Sequence, residues 1–282
     1  MKENVIIYHG GCTDGFAAMY VALKALGEEN TEVVYGVYGE APPDVLNKKV
    51  FIVDFCYDFD TTKKIIALAE HTVILDHHPL AKNVRDSLAN DLKDAFIWYD
   101  PSESGASLSW MYFYPNKAIP SFINYVRDYD LWLHQLPYTR EVNAYIRSVP
   151  QSIVNWEELE KKEVADMVSS GKMLLADHNR RVGLIIDLTT RMITLSTFRQ
   201  VLEIPVANCP PHYASDVCNK LSEIFSSSVA GSYYDTKDSR VFSLRSTEDI
   251  FNVNEIAQAY GGGGHPRASG FSVPRGHFLA QT

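Results

Sequence analysis

The sequence predicts an α/β protein: an N-terminal open parallel sheet flanked by helices, a helical linker, and a smaller C-terminal α/β domain. Two observations lead there. Up to about residue 130, short apolar runs alternate with stretches of helical period, the rhythm of βαβ units. Beyond about residue 190 the chain reads differently, with strand-like and helical stretches that suggest a smaller α/β domain. The predicted divisions are 1–155, 156–188 and 189–282.

The first element is Val5-Ile6-Ile7-Tyr8, an apolar strand that runs into His9 and then Asp14. A helix follows at about 15–27, where Phe16, Met19, Tyr20, Leu23 and Leu26 recur at helical spacing. Strand-like residues 33–37 lead to a turn at Pro42-Pro43, and Val50-Phe51-Ile52-Val53 runs into Asp54. A helix at 60–70 precedes Thr72-Val73-Ile74-Leu75, which ends in Asp76-His77-His78. Residues 102–114 read as a helix opening with small residues, and 119–130 as a helix reaching Asp128 and Asp130. A long charge-rich amphipathic helix is predicted over 156–185. The C-terminal pattern is strand at 192–197 and 200–204, helix at 213–226, strand at 228–234 and 240–245, and helix at 253–260. A run of four glycines, Gly261 to Gly264, follows.

Composition narrows the function. The chain of 282 residues is 46% hydrophobic and 22% charged, as in an ordinary globular protein. No apolar run approaches the ~20 residues of a membrane helix. A strand starting straight after Met1-Lys2-Glu3-Asn4 leaves no room for a signal peptide, so a cytoplasmic protein is expected. Cys12, Cys56, Cys209 and Cys218 form no CxxC pair and no disulfide framework. A formal charge of −9 argues against coating long duplex nucleic acid, yet leaves room for short oligonucleotides or mononucleotides. The pattern leaves oligomerisation open.

Three apolar strands deliver carboxylate or imidazole at the same end, and in open parallel sheets ligands collect there. Burying a carboxylate costs several kcal/mol or more unless a cation or donors meet it. His9, Asp14, Asp54, Asp76, His77 and Asp128 are therefore candidate metal ligands, with Cys12 as an additional one. Taken singly, Asp54 could be a turn former and His9 a structural histidine; the conjunction is what points to metal. Carboxylates mixed with imidazoles suit Mn²⁺, with Mg²⁺ or Co²⁺ as alternatives. Two such ions ~4 Å apart generate hydroxide near neutral pH and stabilise an in-line phosphoryl displacement. Asp54, alone at its strand end, is the expected bridge. Asp76 and His78 are the expected catalytic groups, His78 contacting phosphate or protonating the leaving oxygen. Trp132 reads as core rather than as a base-stacking platform.

Five segments in this order resemble the DHH phosphoesterases with the DHH-associated C-terminal domain, RecJ-like and nanoRNase-like phosphohydrolases. They are His9-Gly-Gly-Cys12-Thr-Asp14-Gly15-Phe16, Val53-Asp54, Asp76-His77-His78, Val126-Arg127-Asp128 and Gly261-Gly-Gly-Gly264-His265-Pro266-Arg267-Ala268-Ser269-Gly270. The resemblance covers nearly the whole chain. It implies that His9, the first aspartate of the first motif and the fourth-motif aspartate share one metal. Asp14 and His77 would hold the other, with Asp54 bridging. Cys12 stands where the family places that first aspartate, so it is either a ligand for a softer ion or a small packing residue.

The glycine run, with its freedom to take positive φ and expose N–H groups, reads as a phosphate clamp with Gly262, Gly263, Gly264, His265, Arg267 and Ser269. By resemblance it would hold the far end of the substrate. Arg245 is a second basic candidate, for which surface solvation is the simpler fate. Ser107, with Ser104 and Ala106, resembles a helix start facing the substrate, although simple capping also explains Ser104. The reading is a metal-dependent phosphohydrolase or phosphodiesterase of short oligonucleotides, dinucleotides or pAp. Hydrolysis of pyrophosphate or polyphosphate is the alternative, and a nucleotide-binding module with a decayed metal site is another.

Overall fold

A computed structural model of the chain describes residues 2–88, 95–197, 201–248 and 251–281. The expected strand start at residue 200 lies outside the described residues. The chain divides into two units, Met1–Leu175 and Ala176–Thr282. Among the described residues no helix is long and apolar enough to cross a membrane.

The first unit runs β1 (Asn4–His9), α1 (Thr13–Leu26), β2 (Thr31–Gly36), β3 (Lys49–Val53), α2 (Phe59–Leu68), β4 (His71–Asp76), α3 (Pro79–Leu88) and β5 (Ala95–Tyr99). It continues through α4 (Gly105–Phe113), α5 (Ser121–Asp130), α6 (Thr139–Ser148), α7 (Ile153–Glu160) and into α8 (Val164–Thr189). The five strands are all parallel, in the order β2-β1-β3-β4-β5. Both faces are buried, which explains why the strands read as near-continuous apolar runs. Ile6, Tyr8, Phe51, Val53, Val73 and Leu75 pack on one side with α1 and α4; Val5, Ile7, Val50, Ile52 and Ile74 pack on the other with α2 and α3.

The strand order reverses at β1. The chain leaves β1 for β2 on one side and returns to β3 on the other, so the ends of β1 and β3 flank a topological switch point. Such a point opens a crevice beyond the carboxyl ends of the strands, because the two connections diverge there. His9 ends β1, Asp54 follows β3 and Asp76 ends β4.

Helices α3 and α6 were not anticipated from the sequence. Ala81, Val84 and Leu88 of α3 and Val142 and Ile146 of α6 carry the buried stripe in each. The single helix expected over 156–185 is two helices. Trp156 and Leu159 bury α7, while Tyr20 Oη (2.7 Å) and Lys24 Nζ both donate to Glu160, holding its last residue to α1. The helix then breaks at Lys161-Lys162 and restarts at Val164. No Gly or Pro marks that break.

The second unit takes the rest of α8 and adds β6 (Arg191–Ser196), β7 (Val201–Asn208), α9 (Ala214–Phe225), β8 (Val229–Asp235), β9 (Ser239–Ser246), α10 (Val253–Ala259), β10 (Gly263–His265), β11 (Ala268–Pro274) and α11 (Phe278–Gln281). Its six strands, ordered β10-β11-β9-β8-β7-β6, are antiparallel except for β7 with β8. Alternate residues divide between two cores. Val229, Tyr233, Phe242 and Leu244 face α10 and α11, whereas Ala207 and Ala230 face α8 and α9.

Candidate metal centre

Asp54 is the pivot of the site. It is 1% exposed, and its backbone takes φ 54°, the left-handed region that a short polar side chain tolerates better than most. Its N–H still donates to Leu75 O (2.9 Å), so the residue stays fastened to β4 while the chain turns away from the sheet. Four groups converge on its carboxylate. His77 Nε2 lies 3.2 Å from Oδ1, His9 Nδ1 3.5 Å from Oδ2 and His78 Nδ1 3.9 Å from Oδ1, and Cys12 Sγ donates to Oδ2 at 3.7 Å.

The remaining donors come from the other strand ends and two helices. Asp14 sits in the first turn of α1, and its Oδ2 and Oδ1 accept from Gly105 N (2.6 Å) and Ala106 N (3.0 Å) at the start of α4. That approach needs glycine: a Cβ on Gly105 would stand 2.3 Å from Asp54 Cβ. Asp76 Oδ1 accepts from His77 N (2.8 Å) and His78 N (3.2 Å) and meets His78 Nδ1 at 2.6 Å. The carboxylate fixes the orientation of the imidazole. Asp130, the last residue of α5, brings Oδ2 within 3.6 Å of His77 Nε2.

Three sets of donor atoms lie within 4.8 Å of one another: His9, Cys12 and Asp54; Asp14, His77 and Asp130; and Asp54, Asp76, His77 and His78. The chemistry of these sets fits divalent cations. Among the described residues no Lys or Arg pairs with Asp14, Asp54, Asp76 or Asp130, so imidazoles are their nearest counter-charges. His9 Nδ1, Asp54 Oδ1 and Asp76 Oδ2 are buried without a hydrogen bond of acceptable geometry. Buried, unsatisfied anionic oxygens are costly, and cations would satisfy them.

Electrostatics without cations points the same way. Burial alone would raise Asp54, but His77 and His9 hold its carboxyl well below the usual carboxylate range. Burial, then Asp54, raise Asp130 to about 6. For His77, burial opposes the charge, yet Asp54 and Asp130 overcome it and lift the imidazole to about 10. Burial and the surrounding carboxylates push the Cys12 thiol well up. Burial, Asp54 and Asp130 likewise raise Asp14, against the α4 amides that favour its anion.

Asp128 does not join the donor sets. Its carboxylate is buried and accepts from Gln135 N (2.9 Å), Leu136 N (3.2 Å) and Thr139 Oγ1. It ties down a turn in which Trp132, His134 and Tyr138 all have positive φ. Asp130, which the sequence reading did not name as a ligand, lies in a donor set where Asp128 does not. It groups with Asp14 and His77, not with His9. A second Asp two positions along the same helix was the only available signal.

Ser107, expected at a helix start facing the substrate, forms a cap instead of an open contact. It is fully buried, and its hydroxyl accepts from Ser104 N and donates to Ser104 O in a capping box. The α4 amides expected to meet phosphate instead hold Asp14. Trp132, expected in the core, is 47% exposed.

In the second unit, the glycine run is a short edge hairpin rather than an open loop. Gly263–His265 pairs with Ala268–Gly270. A Cβ on Gly262 would stand 2.1 Å from Gly270 O, and one on Gly264 2.6 Å from Ala268 O, so the hairpin's own closeness explains those two glycines. Ser269 Oγ donates to His265 O (2.6 Å), engaged within the turn, while Arg267 is exposed at its tip. Arg245 donates to Ser215 Oγ and Leu244 O and is not a freely solvated side chain.

A parallel sheet gathers carboxylates and imidazoles at its switch point as a candidate metal centre, and a mixed-sheet unit follows in the chain. Residues 200–281 match the DHHA1 domain. The chain is 29% identical over 290 residues to the uncharacterized protein R106 of Acanthamoeba polyphaga mimivirus, covering 96% of this chain and 68% of that one. It is 22% identical over 301 residues to the oligoribonuclease NrnB of Bacillus subtilis (strain 168), covering 95% and 72%. Its fold is similar to that of an exopolyphosphatase-related protein from Bacteroides fragilis, with a TM-score of 0.53 at 13% identity over 96% and 86% of the two chains. The C-terminal residues thus match the DHHA1 domain, and nearly the whole chain is similar to an oligoribonuclease.

Two outcomes follow from this geometry. Asp130→Ala should lower Mn²⁺ affinity with little change in the metal-free melting temperature. Asp128→Ala should instead destabilise the fold by about 2 kcal/mol, the scale of hydrogen bonds to a buried charged group; calorimetry and metal titration separate the two. Because His77 holds a proton up to about pH 10 without metal and must lose it to ligate, metal binding near neutral pH should release protons. Affinity should therefore rise with pH. Titration calorimetry in buffers of differing ionisation enthalpy measures the proton count, and zero released would remove His77 from the ligand set.

Proposed function

We propose that this chain is a phosphodiesterase of short nucleotides that works with two divalent ions, Mn²⁺ foremost. The observation that carries the reading is the sharing of donors. Asp54 belongs to two of the three donor sets and His77 to two, so the groups span adjacent positions rather than one. When bound, the ions would lower the pKa of an attacking water and neutralise charge on the phosphoryl group.

The chain's own residues do the rest. His9, Asp54 and, where the thiol ionises, Cys12 would hold one ion; Asp14, His77 and Asp130 would hold the other, with Asp54 between them. Asp76 orients His78, the proposed group to contact a phosphoryl oxygen or protonate the leaving oxygen. The helix-start amides of α4 keep Asp14 in place. His265 and Arg267 on the second unit's hairpin are proposed anion contacts, with Arg267 the fork suited to phosphate. An oligoribonuclease among the relatives supports a short-oligonucleotide substrate.

The test is turnover with Mn²⁺ of a linear dinucleotide, pAp, cyclic dinucleotides and pyrophosphate, measured side by side. Preference for pyrophosphate over every nucleotide would refute the assignment. Asp54→Ala and His77→Ala should each lower kcat by several orders of magnitude while the circular dichroism spectrum is kept. Cys12→Asp replaces a thiol held protonated by its surroundings with a hard oxygen donor. It should raise Mn²⁺ affinity and Mn²⁺-supported turnover by about tenfold; unchanged values for both would make Cys12 a packing residue.

A further inference from the structure

The rim of the metal centre carries two exposed aromatic side chains that the chemistry described so far does not use. Tyr35, on β2, is 61% exposed, and Tyr38, just beyond it, is 50% exposed. Both rings are anchored from beneath. Tyr35 packs on Tyr8 with ring centroids 5.0 Å apart. Tyr38 packs on Phe55 at 4.7 Å and edge-on to the His9 imidazole at 6.0 Å. Phe55 is itself fully buried, follows Asp54 directly and lies 6.3 Å from His9. The platform and the donor cluster thus share two residues' worth of backbone.

The surrounding glycines show that the backbone makes room for these rings. A Cβ on Gly10 would meet the Tyr35 ring at 2.7 Å, and one on Gly36 would meet the Phe55 ring at 2.7 Å. Neither glycine has a positive φ, so conformational freedom is not their reason. They clear volume. Rings supported on one side, half open on the other and set against a candidate metal ligand are pre-organised surfaces, and pre-organisation lowers the entropy lost when a flat ligand lands on them.

We propose that Tyr38, flanked by Tyr35, is the stacking platform for the nucleobase attached to the phosphate at the metal centre. It is a specificity-determining residue that makes the site select nucleotides over phosphoanhydrides. Every base has a π-face and an inorganic polyphosphate has none, so stacking discriminates between these classes without hydrogen-bond readout. The uncharged phenols add no attraction for phosphate, which leaves the base as the group they recognise. This inference rests on the phosphodiesterase reading and deepens it.

The test compares the affinities of AMP and its base-free counterpart, ribose 5-phosphate, for Mn²⁺-loaded protein by titration calorimetry. The wild type should bind AMP about tenfold or more tightly, the scale of one base–aromatic stack. Tyr38→Phe should keep that ratio, because the ring and not the hydroxyl stacks. Tyr38→Ala should bring it close to one. An unchanged ratio in Tyr38→Ala overturns the proposal, as does a wild-type ratio near one in protein that still hydrolyses a dinucleotide; both leave the phosphodiesterase reading standing. Wild-type protein that binds neither compound and hydrolyses no nucleotide overturns that reading and the platform with it.

Discussion

Four carboxylates held close together, with no lysine or arginine among the described residues paired to them, set the terms for the first unit. Asp54, at 1% exposure, could not carry its charge there unaided, since removing an ion from water costs several kcal/mol even after relaxation. His9, His77 and His78 supply partial compensation in the metal-free state, which is why the Asp54 carboxyl stays low and the His77 imidazole stays high. Orphaned oxygens on Asp54 and Asp76 remain. Cations would satisfy those oxygens, and that need ties the electrostatics of this fold to the proposed chemistry.

Packing around the cluster exists largely to keep those charges in register. The switch point between β1 and β3 opens the crevice. The left-handed backbone at Asp54 aims the carboxylate into it, at a conformational cost that the sheet hydrogen bond to Leu75 helps to bear. Gly105 lets α4 approach closely enough for two amides to hold Asp14, and the favourable end of the helix dipole meets an anion there. Asp128 clamps the segment after α5, in which three non-glycine residues have positive φ. Asp128 is engaged by backbone amides, while Asp130, two positions on, lies within reach of Asp14 and His77.

Aromatic side chains give the crevice a second character. Phe55 and Tyr38 place apolar surface directly against His9, so a strongly polar centre has a flat, partly open flank. In the second unit, the glycine run achieves something different from what its composition alone suggests. Its close backbone approach is to its own partner strand, and this leaves His265 and Arg267 around a tight turn. The same residue type therefore serves ring clearance at Gly10 and Gly36 and strand closeness at Gly262 and Gly264.

Much of the first unit was legible in the chain. The parallel sheet followed from buried apolar runs alternating with helical periods, and His9, Asp14, Asp54, Asp76, His77 and His78 stood out because charged groups at the ends of buried strands need a partner. The split between α7 and α8 was invisible because contacts from Tyr20 and Lys24, more than a hundred residues away, help hold α7 to the core. Asp128 and Asp130 illustrate the limit most clearly. At about 100° per residue, two positions along a helix point to nearly opposite sides, so only one of the pair can face the crevice. Residue type and spacing determined that an aspartate on α5 would be available; only the rotation of that helix against the sheet decided which, because facing is a property of packing and not of local sequence.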